Sequence, residues 1–296
     1  MKVLPRYPIF IPTRGRVETQ LTARMFKRDG VPFRLVVEAA EAEAHIKNWG
    51  IERVLVLPES NRGLVYSRNW IKDFSTAAGD ERHWQFDDDI RHMMRLHAGR
   101  RIKCVSNIAL AVAEDFVDRY ENVALTSFNA HFFVPVAAGF AQGQWPPFYL
   151  NHRCYTDFLM LNSLPLRWRG RYNEDTDMTL QVLAAGWCTI LFNAFLINTP
   201  PTLTAPGGQM TSAAGSYQGD GRLRMSRELE RNWPLVVTTG RRFQRPQHFV
   251  RDSWQKFDTP LRLKPDAKPV KDYSLWLKQV GKTKSVELAK VAAEHQ

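Results

Sequence analysis

The sequence predicts an α/β fold, with a mixed, mostly parallel central sheet flanked by helices. Two observations carry this. Short apolar runs alternate with helical segments through the first third of the chain, which is the pattern of strands joined by crossover helices. Polar loops rich in arginine and aspartate follow those runs, where open α/β sheets bind ligands. The composition agrees: 44% hydrophobic and 24% charged residues over 296 positions describe a folded chain with a full core, not a disordered one.

The first strand is expected at Tyr7–Ile11 and is ended by Pro12. Thr13-Arg14-Gly15-Arg16 forms a turn, and a helix is expected from Val17 to Arg28. A strand at Phe33–Glu38, an Ala- and Glu-rich helix at Ala39–Trp49 and a strand at Arg53–Leu57 follow. A turn at Asn61–Gly63 leads into a helix to Thr76, then a strand at His83–Phe86 that runs into Asp87-Asp88-Asp89. Beyond it, Ser106–Tyr120 has the spacing of an amphipathic helix. Strands are expected at Val123–Ser127, Asp157–Leu161 and Cys188–Phe192, and extended chain at His131–Ala137 and Tyr149–Asn151. A helix at Asp175–Ala185 stops at Gly186. Residues 199–221 are rich in Gly and Pro and hold one charged group, Asp220, so a long loop or lid is expected. A basic helix at Arg222–Asn232, a linker at Pro260–Pro269 and a charged terminal segment at Ser274–His295 complete the chain. The two common phosphate-loop motifs, G-x-x-x-x-G-K-[ST] and G-x-G-x-x-G, are absent.

Charge is distributed unevenly. The formal net charge is +11, and residues 222–296 carry 17 basic against 8 acidic groups. Arg222–Lys271 holds thirteen of those cations, interleaved with Trp233, Phe243, Phe249, Trp254 and Phe257. Lysine and arginine neutralise phosphates and aromatic faces stack on bases, so a nucleic acid is one partner this surface suits; a solvated basic face is the other reading. Cys104, Cys154 and Cys188 are far apart, which excludes a disulfide framework and a cysteine-built zinc site. No secretory signal and no run long enough to span a membrane are readable, so a cytoplasmic protein is expected.

Two acidic clusters carry the candidate chemistry. In Asp87-Asp88-Asp89, residues two apart on extended chain face the same way, so Asp87 and Asp89 can share a ligand. Paired carboxylates stay ionised most easily around a cation, and hard oxygen donors suit Mg²⁺ or Mn²⁺ beside substrate phosphates. An acidic turn capping a helix is the structural alternative. Asn173-Glu174-Asp175-Thr176-Asp177 opens a helix, where carboxylates are also good caps. One of them, Asp175 ahead of Glu174, suits a general base. The Thr13-Arg14-Gly15-Arg16 turn offers amides and guanidinium groups to a nucleotide, and Arg68-Asn69 is a further polar pair inside the third helix; a surface feature is the alternative for each. His248, among Arg245, Phe249 and Arg251, is a candidate third metal ligand.

IPTRGR, the central SRN, QFDDDI and NEDTDMTLQVLAAGW, in this order, resemble nucleotide-sugar glycosyltransferases of the GT-A fold, a Rossmann-like architecture, over roughly residues 8–250. The resemblance implies a nucleotide-sugar donor, a UDP-sugar first, held by Thr13, Arg14, Arg16, Glu38, Arg68, Asp87 and Asp88. It implies Mn²⁺ or Mg²⁺ on Asp89, Asp87 and His248, and inverting transfer with Asp175 or Glu174 as base. The family's spaced carboxylate signature is here a run of three aspartates, so which two meet the ion stays open. More narrowly, IPTRGR, VVE, VLPE, G-x-x-x-S-R-N, DDDI and EDTDM look like phage-associated glycosyltransferases encoded beside cytosine-methyl oxygenases. That implies 5-hydroxymethylcytosine in DNA as acceptor, in the cytoplasm of an infected host. A glycan or protein acceptor, and a catalytically silent nucleic-acid-binding module, are the competing readings. Trp145, Trp168, Trp233 and Trp254 are candidates to hold a base drawn out of the duplex. The expected organisation is a catalytic domain at 1–250 and a basic extension at 251–296.

Overall fold

β1 (Ile9–Pro12) lies between two parallel neighbours, β2 (Arg34–Val37) and β4 (Arg82–Phe86), and β3 (Val54–Val56) extends this half outward. The chain is seen in a computed structural model that describes residues 3–97, 100–134, 146–200, 221–250 and 256–267. The second half of the sheet adds β5 (His92–His97), β6 (Arg100–Cys104), β7 (Val123–Ala130), β9 (Asp157–Leu161) and β10 (Cys188–Asn198). The order is β3-β2-β1-β4-β9-β7-β10-β5-β6, with β8 (Phe148–Leu150) also on β10. The sheet is mixed: β3 to β4 and the β7–β10 pair are parallel, and the other pairings are antiparallel.

Alternation along the strands assigns the two faces. Ile9, Ile11, Leu35, Val37, Trp84 and Phe86 join one buried cluster with Met25 and Phe26 of α1 (Leu21–Asp29), Leu110 and Phe116 of α4 (Ser106–Val117), and Trp49 of α2 (Ala42–Trp49). Phe10 and Val36 point the other way, to Ile71 of α3 (Leu64–Ala77). Phe158 and Met160 face Met178 and Val182 of α5 (Glu174–Ala184) on that same side. The helices therefore cover both faces, which buries the nearly continuous apolar runs of the central strands. Asp29 holds the start of α4, accepting from the Ser106 amide and hydroxyl at 2.8 Å each. α6 (Gly221–Asn232) packs on a separate hairpin, β11 (Val237–Arg242) and β12 (Arg245–Val250).

Several expectations change. α1 begins at Leu21, not Val17, because Gln20 and Thr22 are spent on the loops beside them: the Gln20 amide donates to Thr13 Oγ1 at 2.6 Å, and Thr22 Oγ1 to the Asp87 carbonyl at 2.5 Å. β10 runs on to Asn198, since it pairs with β5 as well as β7 and β8. The β5–β6 and β11–β12 hairpins leave no clear trace in the sequence, because arginine and lysine interrupt their apolar alternation. His131–Phe133 is a 3₁₀ turn, not extended chain. The linker expected from Pro260 is docked: Leu263 bridges Tyr120, Asn122 donates to the Pro260 carbonyl at 2.8 Å, and Leu261 joins the main core. Of the loop expected at 199–221, residues 201–220 lie outside the described residues and Gly221 begins α6; the terminal segment at Ser274–His295 and most of the basic extension also lie outside the described residues. No helix among the described residues is long and apolar enough to cross a membrane.

Candidate active site

The C-terminal ends of β1, β2 and β4 converge, and the predicted polar residues gather there. Thr13 ends β1 and donates from Oγ1 to Asp88 Oδ2 at 2.5 Å. Arg16 pairs with Asp88 and reaches Asp89 Oδ2 at 3.5 Å. Asp88 is thus an internal clamp between the β1 loop and the β4 end; Asp88 and Asp89 lie in a turn after β4, and one Arg16 nitrogen meets both carboxylates. Glu38, at the end of β2, accepts from the Asn61 amide at 2.9 Å and faces Arg14 Nε at 3.7 Å. Arg14 also donates to Asn61 Oδ1 at 2.6 Å.

Arg68 is brought to the aspartates from α3. It is 1% exposed, its guanidinium lying 4.8 Å from the Phe158 ring centre and 4.9 Å from that of Trp168. Nη2 donates to Asp87 Oδ1 at 2.8 Å, and Nε lies 3.7 Å from Glu174 Oε1. It therefore joins both acidic clusters from beneath, and any effect it has on a ligand passes through Asp87 and Glu174. Neighbouring Asn69 clamps Trp168, donating to its carbonyl at 2.8 Å and accepting from its amide at 3.0 Å.

Burial raises the Asp87 pKa to about 7, against the attraction of Arg68 and with repulsion from Asp89, Glu174 and Asp88. Burial lifts Asp88 to about 6, against Arg16 and the Thr13 hydrogen bond. Asp89 is raised from the same leading cause, with Arg16 opposing. Asp87 keeps 36% and Asp89 30% of its side-chain surface exposed. Two accessible carboxylates that resist ionisation together are a fitting donor set for a hard divalent cation shared with substrate phosphates. Among the described residues no three His, Cys, Asp or Glu gather as a metal site. His248 therefore does not complete a three-ligand shell with Asp87 and Asp89, contrary to expectation. It sits on β12, where the groups that act on it are Arg153 and Asp175, and burial lowers its pKa to about 4, so the ring is neutral near pH 7.

Glu174 and Asp175 begin α5, and their environments differ. Asp175 Oδ2 accepts from Arg153 Nη2 at 2.5 Å and Oδ1 from the Thr176 amide at 2.7 Å. Burial opposes its charge, but Arg153 and these hydrogen bonds prevail and hold its pKa below the ordinary value. Glu174 is raised by burial and by Asp175, with Arg68 offsetting. Asp177, two residues on, is structural. It accepts from Arg169 at 2.8 and 3.0 Å, Gln181 at 2.7 Å and Trp233 Nε1 at 2.7 Å.

Four further polar residues stand here without any signal in the sequence. Arg153, Tyr155 and Asp157 lie in a segment without a motif, and Asn129 ends β7. Asp157 is fully buried opposite Phe86 and close enough to Asp87 to repel it; it accepts from the Phe128 amide at 2.9 Å, and burial raises its carboxyl pKa. Tyr155 bonds Asn129 and accepts from the Ala130 amide at 3.1 Å. Exposed Phe132 and Phe133 stand beside it, with Phe133 5.7 Å from the Tyr155 ring. Of the tryptophans, Trp168 and Trp233 are held by internal hydrogen bonds, and Trp145 and Trp254 lie outside the described residues.

The model of the TET-associated glycosyltransferase family matches residues 7–208. Among solved structures, a protein named as a nucleotide-diphospho-sugar transferase from Desulfovibrio desulfuricans G20 is similar at 12% identity and a TM-score of 0.39, over 78% of this chain and 99% of that one. No curated protein matches.

Proposed function

Since the chain belongs to the TET-associated glycosyltransferase family, and is a glycosyltransferase, we propose that it moves a sugar from a nucleotide-sugar donor, a UDP-sugar first, to the hydroxyl of 5-hydroxymethylcytosine in DNA, with inversion. The observation that carries this is the meeting of both acidic clusters at one sheet edge, joined by Arg68. The family's name supports an acceptor made by a cytosine-methyl oxygenase, and the cationic C-terminal quarter of the chain suits a polyanion.

Thr13, Arg14, Arg16 and Glu38 line the end of β1 and β2 and receive the nucleotide, with Asp88 and Arg68 keeping that edge in shape. Asp87 and Asp89 hold Mn²⁺ or Mg²⁺, which supplies charge neutralisation to the leaving diphosphate. Asp175 takes the proton of the attacking hydroxyl, and a single displacement inverts the anomeric carbon. Arg153 keeps Asp175 in the carboxylate form a base needs. Its hold must loosen as the acceptor enters, because Asp175 gains proton affinity only when that contact weakens. Glu174 and Asp175 titrate as a pair, so a proton taken by one is felt by the other.

The test is a mass measurement. Duplexes with and without 5-hydroxymethylcytosine are incubated with Mn²⁺ and a panel of nucleotide sugars, digested, and the nucleosides weighed. A hexose-sized increment on 5-hydroxymethyl-2′-deoxycytidine alone is expected. Sugar transfer to a glycan or peptide panel, with DNA unchanged, would replace DNA as the acceptor.

A further inference from the structure

The β11–β12 hairpin ends in a two-residue turn, Phe243-Gln244, with both residues at positive φ, 51° and 60°. Two-residue hairpin turns of this type favour Asn-Gly, because glycine and asparagine adopt that backbone at little cost. A bulky aromatic there is strained, and such outliers are found where a side chain is held for use. Phe243 is 82% exposed, among the most exposed large apolar side chains described. The Arg242 guanidinium lies 5.2 Å from its ring centre. Arg241, Arg242 and Arg245 are all exposed, the hairpin holds no acid, and among the described residues no carboxylate pairs with the three.

The root of this hairpin is fixed at the catalytic end. Val237 is fully buried with Leu180 of α5 and Leu229 of α6, and Trp233, just before it, is tied to Asp177. His248 on β12 answers to Asp175 and Arg153. From His248 to the turn is four residues of strand, about 14 Å. The tip is therefore the end of the hairpin away from its buried root at Val237, about that far along β12 from His248.

We propose that the tip is a duplex-opening wedge: Phe243 enters the base stack at the place left by the extruded nucleotide, while Arg241, Arg242 and Arg245 hold the flanking phosphates. This rests on the DNA-acceptor reading. A 5-hydroxymethyl group lies in the major groove of a stacked duplex, and drawing its base out of the stack carries the hydroxyl into a recessed site such as the one beside Asp175. Apolar wedges fill such gaps, and arginines beside them supply the phosphate contacts that set register. A neutral glycan would not need the three cations.

The probe is a duplex with 2-aminopurine next to 5-hydroxymethylcytosine, whose fluorescence rises on unstacking. Wild-type protein should raise it at saturation. Phe243→Ser should lose most of that rise and about tenfold in duplex affinity, lowering the ratio of duplex to single-strand affinity. Phe243→Leu, which keeps an apolar wedge, should recover part of both. Far-ultraviolet circular dichroism checks that each variant is folded. A full fluorescence rise with Phe243→Ser would overturn the wedge and leave the DNA reading standing. No binding of either strand form by the wild type would remove both.

Discussion

Asp175 and Glu174 are neighbours in sequence with opposite electrostatics, and substitution separates their roles. Asp175→Asn should retain donor affinity and lose about 10²- to 10⁴-fold in turnover, because proton transfer belongs to the transition state. Glu174→Gln should lose less. Donor titration alongside steady-state rates decides it, and a dispensable Asp175 with an essential Glu174 would reverse the assignment. Asp87 gives a pH signature. Its folded-state pKa is raised from 3.8 to about 7, so it favours the folded chain in its neutral form. That contribution is complete below about pH 4 and is lost as pH climbs through about 7. Asp87→Asn should therefore show a smaller fall in Tm than wild type between about pH 5 and pH 8. A cation bound to the carboxylate form has the opposite dependence, so the Tm increment from Mn²⁺ should grow across the same range. Asp89→Ala should abolish that increment and divalent-dependent transfer together; full activity of this variant in EDTA would remove the metal from the mechanism.

α5 shows why an element carries more than the residues at its tip. Its first turn presents Glu174 and Asp175 to the site, while Asp177, 2% exposed, anchors Arg169, Gln181 and Trp233. The same acidic run thus divides between chemistry and architecture, with Asp177 receiving the α6–hairpin unit. Asp177→Ala strands the Trp233 N–H and leaves the Arg169 cation without its carboxylate. A loss of about 2–3 kcal/mol is expected from urea unfolding. Activity should fall further than the folded fraction, since the hairpin that carries His248 loses its tether. If unfolding and activity decline in step, the tether has no functional share.

Over the whole molecule, charge and chemistry are segregated. Residues 1–221 are close to neutral, with 24 basic and 22 acidic groups, and they hold the candidate site residues from Thr13 to Asp175. The cationic quarter, residues 222–296, begins with α6 and the hairpin, which Trp233 ties to Asp177 of α5. Neutralising Arg241, Arg242 and Arg245 together should weaken binding to all DNA sequences alike and flatten the salt dependence, each lost phosphate contact removing about 0.9 from the log–log slope on duplex. Affinities measured over a salt series, with and without 5-hydroxymethylcytosine, check this. Wild-type binding that is absent or insensitive to salt would transfer the acceptor role to a glycan or protein. Donor hydrolysis by the triple variant should persist, because its substitutions lie far along the chain from Thr13 and Asp87.

What the sequence determined by itself was whatever is local. The short apolar runs that make β1 and β4, the aspartate run after Phe86 and the acidic start of α5 are all within a few residues of their own signal. The strand–helix order therefore followed, and so did the meeting of Thr13, Arg16, Glu38 and the aspartates at one sheet edge, since parallel strands bring their C-terminal ends together. Tertiary structure alone decided which carboxylate meets which cation. Arg68 is paired with Asp87 across nineteen positions, Arg153 with Asp175 across twenty-two, and His248 is set against Asp175 by a hairpin anchored through Trp233. No periodicity encodes such contacts. The same is true of proton affinity: Glu174 and Asp175 are both ordinary carboxylates in the sequence, and only the burial and ion pairs of the folded chain push them apart.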